Sequence, residues 1–215
     1  MATTGNINHW AKQFDKNLLP KVIKFILDSW KTFNAYSEQL EVPITRRLCV
    51  HLQQNKDRSI HFFRIAWESH LLDDEAQESG RIDLKFSQGW DEKVYFSLEC
   101  KRLRVNFPSG FQTLANEYVT EGMCCYINGQ YAEGLDKGGM LGYVMDGRID
   151  EAVQDVKKAI ESHRVDLRME SDDTIRSSSC LSSEQVKETF HRYGPDDRFI
   201  IHHIFLPIDI SPNSN

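Results

Sequence analysis

Nothing in this sequence pairs cysteines at the spacing that grips a zinc ion. The five cysteines, Cys49, Cys100, Cys124, Cys125 and Cys180, are odd in number and form no CxxC, which argues against a disulfide framework and against a zinc knuckle. Such usage fits a reduced, cytoplasmic protein. No apolar run approaches the length of a bilayer span. The opening MATTGNINHW lacks the basic stretch and apolar core of a secretion signal, so no membrane attachment is expected. Basic charge is also in deficit: 26 Lys and Arg stand against 32 Asp and Glu, a net charge of -6, unlike a protein that coats nucleic acid unselectively. A GxSxG elbow, a Cys/His nucleophile pattern, an internal repeat, a zinc finger and a helix-turn-helix are all missing. Covalent hydrolases and ready-made DNA-reading modules are therefore not expected.

What is present suits one α/β domain. The chain has 215 residues, 40% hydrophobic and 27% charged, enough to cover a sheet with helices without disulfide support. Val22, Ile23, Ile26, Leu27, Trp30 and Phe33 recur at helical spacing, and Pro20 breaks or begins that helix, setting it apart from a patch at Trp10, Phe14 and Leu18. A second helix is predicted from about Pro43, with Ile44, Leu48 and Leu52 as its stripe. Strands are predicted over Ile60–Leu72, Arg81–Phe86, Val94–Arg104, Met140–Met145 and Arg198–Ile208, with an acidic loop over Asp73–Gly80 and a turn at Gly89 and Asp91. Helices are predicted over Thr113–Asn128, Arg148–Ser162 and Glu184–Tyr193. Gly138-Gly139 reads as punctuation, and Asp166–Ser183 as a polar loop or insertion. This order of elements predicts a mixed sheet rather than a purely doubly wound one, with residues 1–40 as a helical extension and 41–215 as the main domain.

The chemistry concentrates in Asp83 and in Glu99-Cys100-Lys101. Alternation along a strand puts Glu99 and Lys101 on one side and Cys100 on the other. A hairpin centred near Asp91 sets Asp83 opposite Glu99, where two carboxylates repel each other unless a cation joins them. Mg²⁺ takes oxygen ligands and is commonly held by one or two carboxylates. Asp83 and Glu99 supply those, and the Cys100 carbonyl offers a further oxygen. Lys101 is placed to orient or deprotonate an attacking water, or to stabilise charge gathering on a phosphate. An E-x-K on an edge strand is ordinarily solvated charge. Here it lies within the apolar run VYFSLECKRL, where charge is expensive unless paired or metal-bound.

The stretches SGRIDLKF and VYFSLECKRL resemble the paired motifs of the PD-(D/E)xK, or restriction-endonuclease-like, nucleases: an acid on one strand, then E-x-K on the next. NEYVTEGMCCYINGQYA and GGMLGYVMDG resemble the downstream segments of members from restriction and phage-defence settings. The family's proline is absent, Ile82 preceding Asp83. The resemblance implies a restriction-endonuclease-like core and Mg²⁺-dependent phosphodiester hydrolysis, with Mn²⁺ as a substitute ion. The substrate would be DNA, cut endonucleolytically, with a partner ATPase or sensor subunit, or a homo-oligomer, choosing the target. Asp83, Glu99 and the Cys100 carbonyl become metal ligands and Lys101 the catalytic lysine. Glu41, ahead of Glu38, becomes the acid that the family often carries on the preceding helix.

Arg102 and Arg104 extend the basic cluster toward substrate phosphates or end a solvated strand. Tyr118, Gly122 and Cys125 let their helix lie close to the sheet, or else Glu121 beside them braces Lys101 or the waters of a metal. Lys137 and the glycines around it form either a phosphate-approaching loop or a plain turn. Glu68 is a further acid near the centre or a solvated strand position. His202-His203 and Cys124-Cys125, as sequence neighbours, do not chelate as pairs. Two other functions stay open: a nuclease-like subunit that has lost catalysis and serves binding or assembly, and an RNase on the same scaffold.

Overall fold

Pro20 begins a helix. Leu19–Trp30 forms α1 with its proline in the first turn, where a missing N–H removes no hydrogen bond. The computed structural model describes residues 14–35, 40–57, 62–72, 78–88, 93–132, 134–193 and 198–208; Trp10, Glu38, Gly89 and Asp91 lie outside them. Along α1, Val22, Ile23 and Ile26 are wholly buried, each such side chain contributing about 1.5–3 kcal/mol. They join Ile44, Leu48 and Leu52 of α2 (Glu41–Asn55) in one apolar cluster with the sheet. Trp30 Nε1 donates to the Pro207 carbonyl at 2.8 Å. From Phe14 on, these residues pack in the buried cluster on the sheet.

The sheet is mixed and seven-stranded. Its members are β1 (Arg64–Leu72), β2 (Glu78–Ser87), β3 (Tyr95–Leu103), β6 (Lys137–Val144), β7 (Arg176–Ser177), β8 (Val186–Arg192) and β9 (Arg198–Pro207), in the order β1-β2-β3-β6-β9-β8-β7. β3, β6 and β9 are parallel, whereas the outer pairs are antiparallel. A small hairpin of β4 (Val105–Phe107) and β5 (Gly110–Gln112) follows β3. Helices α1 and α2 cover one face of the sheet. The other face carries α4 (Ile149–Ser162) and α3, a continuous helix built of Ala115–Glu117, a π-helical Tyr118–Met123 and Cys124–Ile127. No helix among the described residues is long and apolar enough to cross a membrane.

Several expectations give way here. Gly138 and Gly139 are strand residues: a Cβ at Gly138 would sit 2.3 Å from the Tyr126 ring, and one at Gly139 2.5 Å from Leu98. They are glycine because the layers meet there, so Lys137 is no loop residue; it is buried in β6 and paired with Asp136 at 2.9 Å. Residues 186–192 form a strand where a helix was expected. β2 starts at Glu78, so residues 78–80 of the expected acidic loop are strand.

Candidate active site

The site forms where two strands part. β2 and β3 pair from Ser87↔Tyr95 to Leu84↔Leu98, the register of a hairpin centred near position 91. Beyond Leu84, β2 stays paired with β1 as far as Glu78 but its ladder with β3 stops. The released edge of β3 is taken up by carboxylates. Asp83 Oδ2 accepts the Cys100 N–H at 2.8 Å, and Glu41 Oε2, reaching from α2, accepts the Arg102 N–H at 2.9 Å. In a strand the N–H and C=O of one residue point to the same edge, so the Cys100 carbonyl faces the same gap, between the two acids.

Glu99 and Lys101 project toward the α3 layer. Lys101 Nζ donates to Glu99 Oε1 at 2.8 Å and lies 3.7 Å from Glu41 Oε1. The structure therefore brings Asp83, Glu99, Lys101 and Glu41 together around Cys100. The Glu99 side chain is only 7% exposed and that of Lys101 15%. Glu99 Oε2 is buried and has no hydrogen-bond partner among the described residues. Gly122, in the π-helical turn, makes room for Met140 beside this carboxylate: its Cβ would stand 2.2 Å from Met140 Cε, and 3.7 Å, an ordinary contact, from Glu99 Cγ. π-Helical turns recur at functional sites, and this one had no signal in the sequence beyond the glycine.

Crowding the acids makes each harder to ionise. Burial, then the Asp83 charge, pushes Glu99 up to about 8, against the pull of Lys101. Asp83 is raised by burial, with the Cys100 N–H, Lys101 and Arg81 opposing and Glu68 adding to the rise. Glu41 is raised by burial and partly relieved by Lys101. For Lys101, burial alone would favour the neutral amine, but Glu99 and Glu41 outweigh it and hold the proton more tightly than usual. Held this way, Lys101 is a fixed cation and a poor base. As they stand, Asp83 and Glu41 are turned to backbone donors and Glu99 to Lys101. No group of three or more His, Cys, Asp or Glu side chains among the described residues is gathered to hold a metal ion.

The two arginines beyond the site part company. Arg102 is half-buried, its guanidinium 5.7 Å from the Phe107 ring centre. Arg104 has left-handed φ (59°) and turns inward. Its side chain, 6% exposed, contacts Asp146 at 2.9 Å and also Glu151 and Asp155. It ties β3 to α4 and is committed to carboxylates, not poised toward a substrate. Arg104→Met removes three charge-assisted contacts while Arg148 keeps its own to Asp146 and Glu151, and urea unfolding should show a loss of about 1–3 kcal/mol. Glu121 is exposed, and Glu68, between the paired Trp67↔Leu84 and Ser69↔Ile82, has a left-handed φ of 47° and lies 3.6 Å from Arg81. His202 and His203 face opposite sides of the sheet, against Phe96 and Tyr118.

No protein-family model matches the chain, nor does any curated protein or any solved structure.

Proposed function

We propose that the protein is a metal-dependent phosphodiesterase on a restriction-endonuclease-like core, cutting DNA internally. The observation that carries this reading is the buried, unpartnered Glu99 Oε2, set beside Asp83 and Glu41 where the Cys100 carbonyl faces an open strand edge. A buried carboxylate oxygen without a partner is destabilising by about 1–3 kcal/mol or more, and three acids that resist ionising together are what a hard cation relieves. The donor set fits Mg²⁺: carboxylate and carbonyl oxygens, with room in the shell for water and phosphate. Asp83, Glu99 and the Cys100 carbonyl would hold the ion, with Glu41 alongside. When bound, Mg²⁺ supplies Lewis-acid polarisation of a phosphate and acidifies water.

The chain's own residues do the rest. Lys101, kept cationic by two carboxylates, places a positive charge where negative charge gathers on the phosphate oxygens during in-line attack. Glu99 holds that ammonium in line with the strand. Glu41 joins the α2 layer to the site through the Arg102 N–H and so fixes how far the helix stands from β3. The restriction or anti-phage setting, with an ATPase or sensor partner, rests on the resemblance of NEYVTEGMCCYINGQYA and GGMLGYVMDG alone.

Supercoiled plasmid incubated with the protein should be nicked when Mg²⁺ or Mn²⁺ is added and spared in EDTA, and Glu99→Gln should be inactive. Cutting of RNA instead of DNA would move the reading to an RNase. DNA binding without cutting would favour the inactive binding or assembly subunit.

A further inference from the structure

On the α2 side of the sheet, behind the carboxylates, three polar side chains meet inside an apolar layer. Tyr143 of β6 and Cys100 of β3 are buried in the cluster that holds Trp30, Ile44, Leu48 and Leu141, and the buried Thr45 of α2 reaches them. The Tyr143 hydroxyl lies 3.0 Å from the Thr45 hydroxyl and is also hydrogen-bonded to the Cys100 thiol. One proton per hydroxyl fixes the direction. Thr45 Oγ1 donates to the Glu41 carbonyl at 2.9 Å, so it accepts from Tyr143, and Tyr143 in turn accepts from the Cys100 S–H. The bridge therefore runs from Cys100 to the backbone of Glu41, two residues that flank the open edge of β3. The Tyr143 ring stacks on Trp30 with centres 5.8 Å apart, and Trp30 is itself tied to the Pro207 carbonyl, which holds the hydroxyl in place.

Stability alone does not call for this bridge. Phe and Val would fill much the same space, and replacing both partners of a buried hydrogen bond by apolar groups of like shape is nearly neutral. A fully satisfied polar network in a core instead selects one arrangement of the elements that share it. That selection matters at this end of α2. No side chain caps the first turn of the helix, yet Glu41 in that turn carries the carboxylate that accepts the Arg102 N–H.

We infer that Tyr143 is a positioning residue for the metal centre: through Thr45 it sets the first turn of α2 against β3, so that the Glu41 carboxylate stands beside the edge that carries the Cys100 carbonyl. Tyr143 touches neither ion nor substrate. Its role rests on the metal-dependent reading of the site. Partners of this kind, behind a metal's own ligands, are commonly worth about 10–100-fold in metal affinity.

Mn²⁺ binding to the full-length protein, read from the loss of the free-ion signal in electron paramagnetic resonance, tests this without asking for catalysis. The variants are Y143F, T45V, T45S, E41Q and Y143F/E41Q, with E99Q to locate the ion. Y143F and T45V should each weaken Mn²⁺ binding by about 10–100-fold, with melting temperatures within about 4 °C of the parent's. T45S keeps the hydroxyl and should bind as the parent does. In the E41Q background no charge is left at that position to misplace, so Y143F should add less than about twofold. Should Y143F misfold, T45V set against T45S carries the result. Parent-like affinity in Y143F and T45V, with E99Q still losing the ion, overturns the positioning role and leaves the metal site standing. An undiminished loss in the E41Q background also overturns it, because the effect then does not pass through Glu41. If the parent binds no Mn²⁺, the metal-dependent reading falls and the role of Tyr143 falls with it.

Discussion

Lys101→Ala should lower Mg²⁺-dependent nicking by about 10²–10⁴-fold in kcat, with duplex affinity in Ca²⁺ little changed. The size follows from where the ammonium sits. Its side chain is 15% exposed, 2.8 Å from Glu99 and 3.7 Å from Glu41, in a pocket where charges interact far more strongly than in water. A cation fixed there before the reaction needs no reorganisation when charge gathers on the phosphate, and each tenfold in rate asks only about 1.4 kcal/mol of it. Lys101→Arg should not restore the rate, because a planar guanidinium replaces a compact point charge with a wider fork between two carboxylates. The alanine variant also leaves both Glu99 oxygens without a donor. Its melting temperature in EDTA should therefore fall further than its melting temperature in Mg²⁺. Parent-like nicking by Lys101→Ala would place the activity outside this site.

The parts of the fold legible in the sequence are those where polarity and periodicity agree. β3 alternates an apolar face of Phe96, Leu98 and Cys100 with Glu99 and Lys101, so strand, facing and hairpin register come from a single pattern. That register puts Asp83 at Glu99, and the acid predicted on the preceding helix, Glu41, reaches the same strand edge. Elsewhere the pattern misleads for physical reasons. β8 buries Glu188, Thr189 and His191 through hydrogen bonds, so its polar residues read as a solvated helix. Gly138 and Gly139 serve close packing within a strand, which no local rule separates from a turn. Arg104 looks like the end of a basic cluster because its partners Asp146, Glu151 and Asp155 are distant in sequence.

Stability should rise and then fall with pH, and Mg²⁺ should lift only the alkaline side. The acid limb comes from three buried imidazoles. His191 Nδ1 donates to the Leu167 carbonyl at 2.8 Å, so its Nε2 accepts from the Thr189 hydroxyl; Thr189 Oγ1 in turn receives His203 Nε2–H, and His203 Nδ1 accepts from Tyr118. Each of these two rings needs one bare nitrogen, and a second proton breaks the chain. Burial holds His191 down to about 4, His202 down to about 4 despite nearby Glu188, and His203 well below its ordinary value. A histidine lowered on folding stabilises the fold fully above about 6.5 and loses that contribution as pH falls through its folded value. For His191 and His202 the loss is on the order of 3 kcal/mol each, a large part of the about 5–15 kcal/mol that holds a domain together. The alkaline limb has the opposite sign. Glu99 is raised on folding, so its protonated form is favoured and stability drains away as pH climbs from about 4.5 toward 8. A cation at Asp83 and Glu99 replaces the proton and removes that loss, but it touches none of the histidines. Urea midpoints across pH 4.5–8.5 should therefore peak near neutrality in EDTA and flatten on the alkaline side in Mg²⁺, with the acid limb unmoved. An alkaline limb indifferent to Mg²⁺ would mean that the crowded carboxylates take no cation, and the phosphodiesterase reading would lose its physical basis.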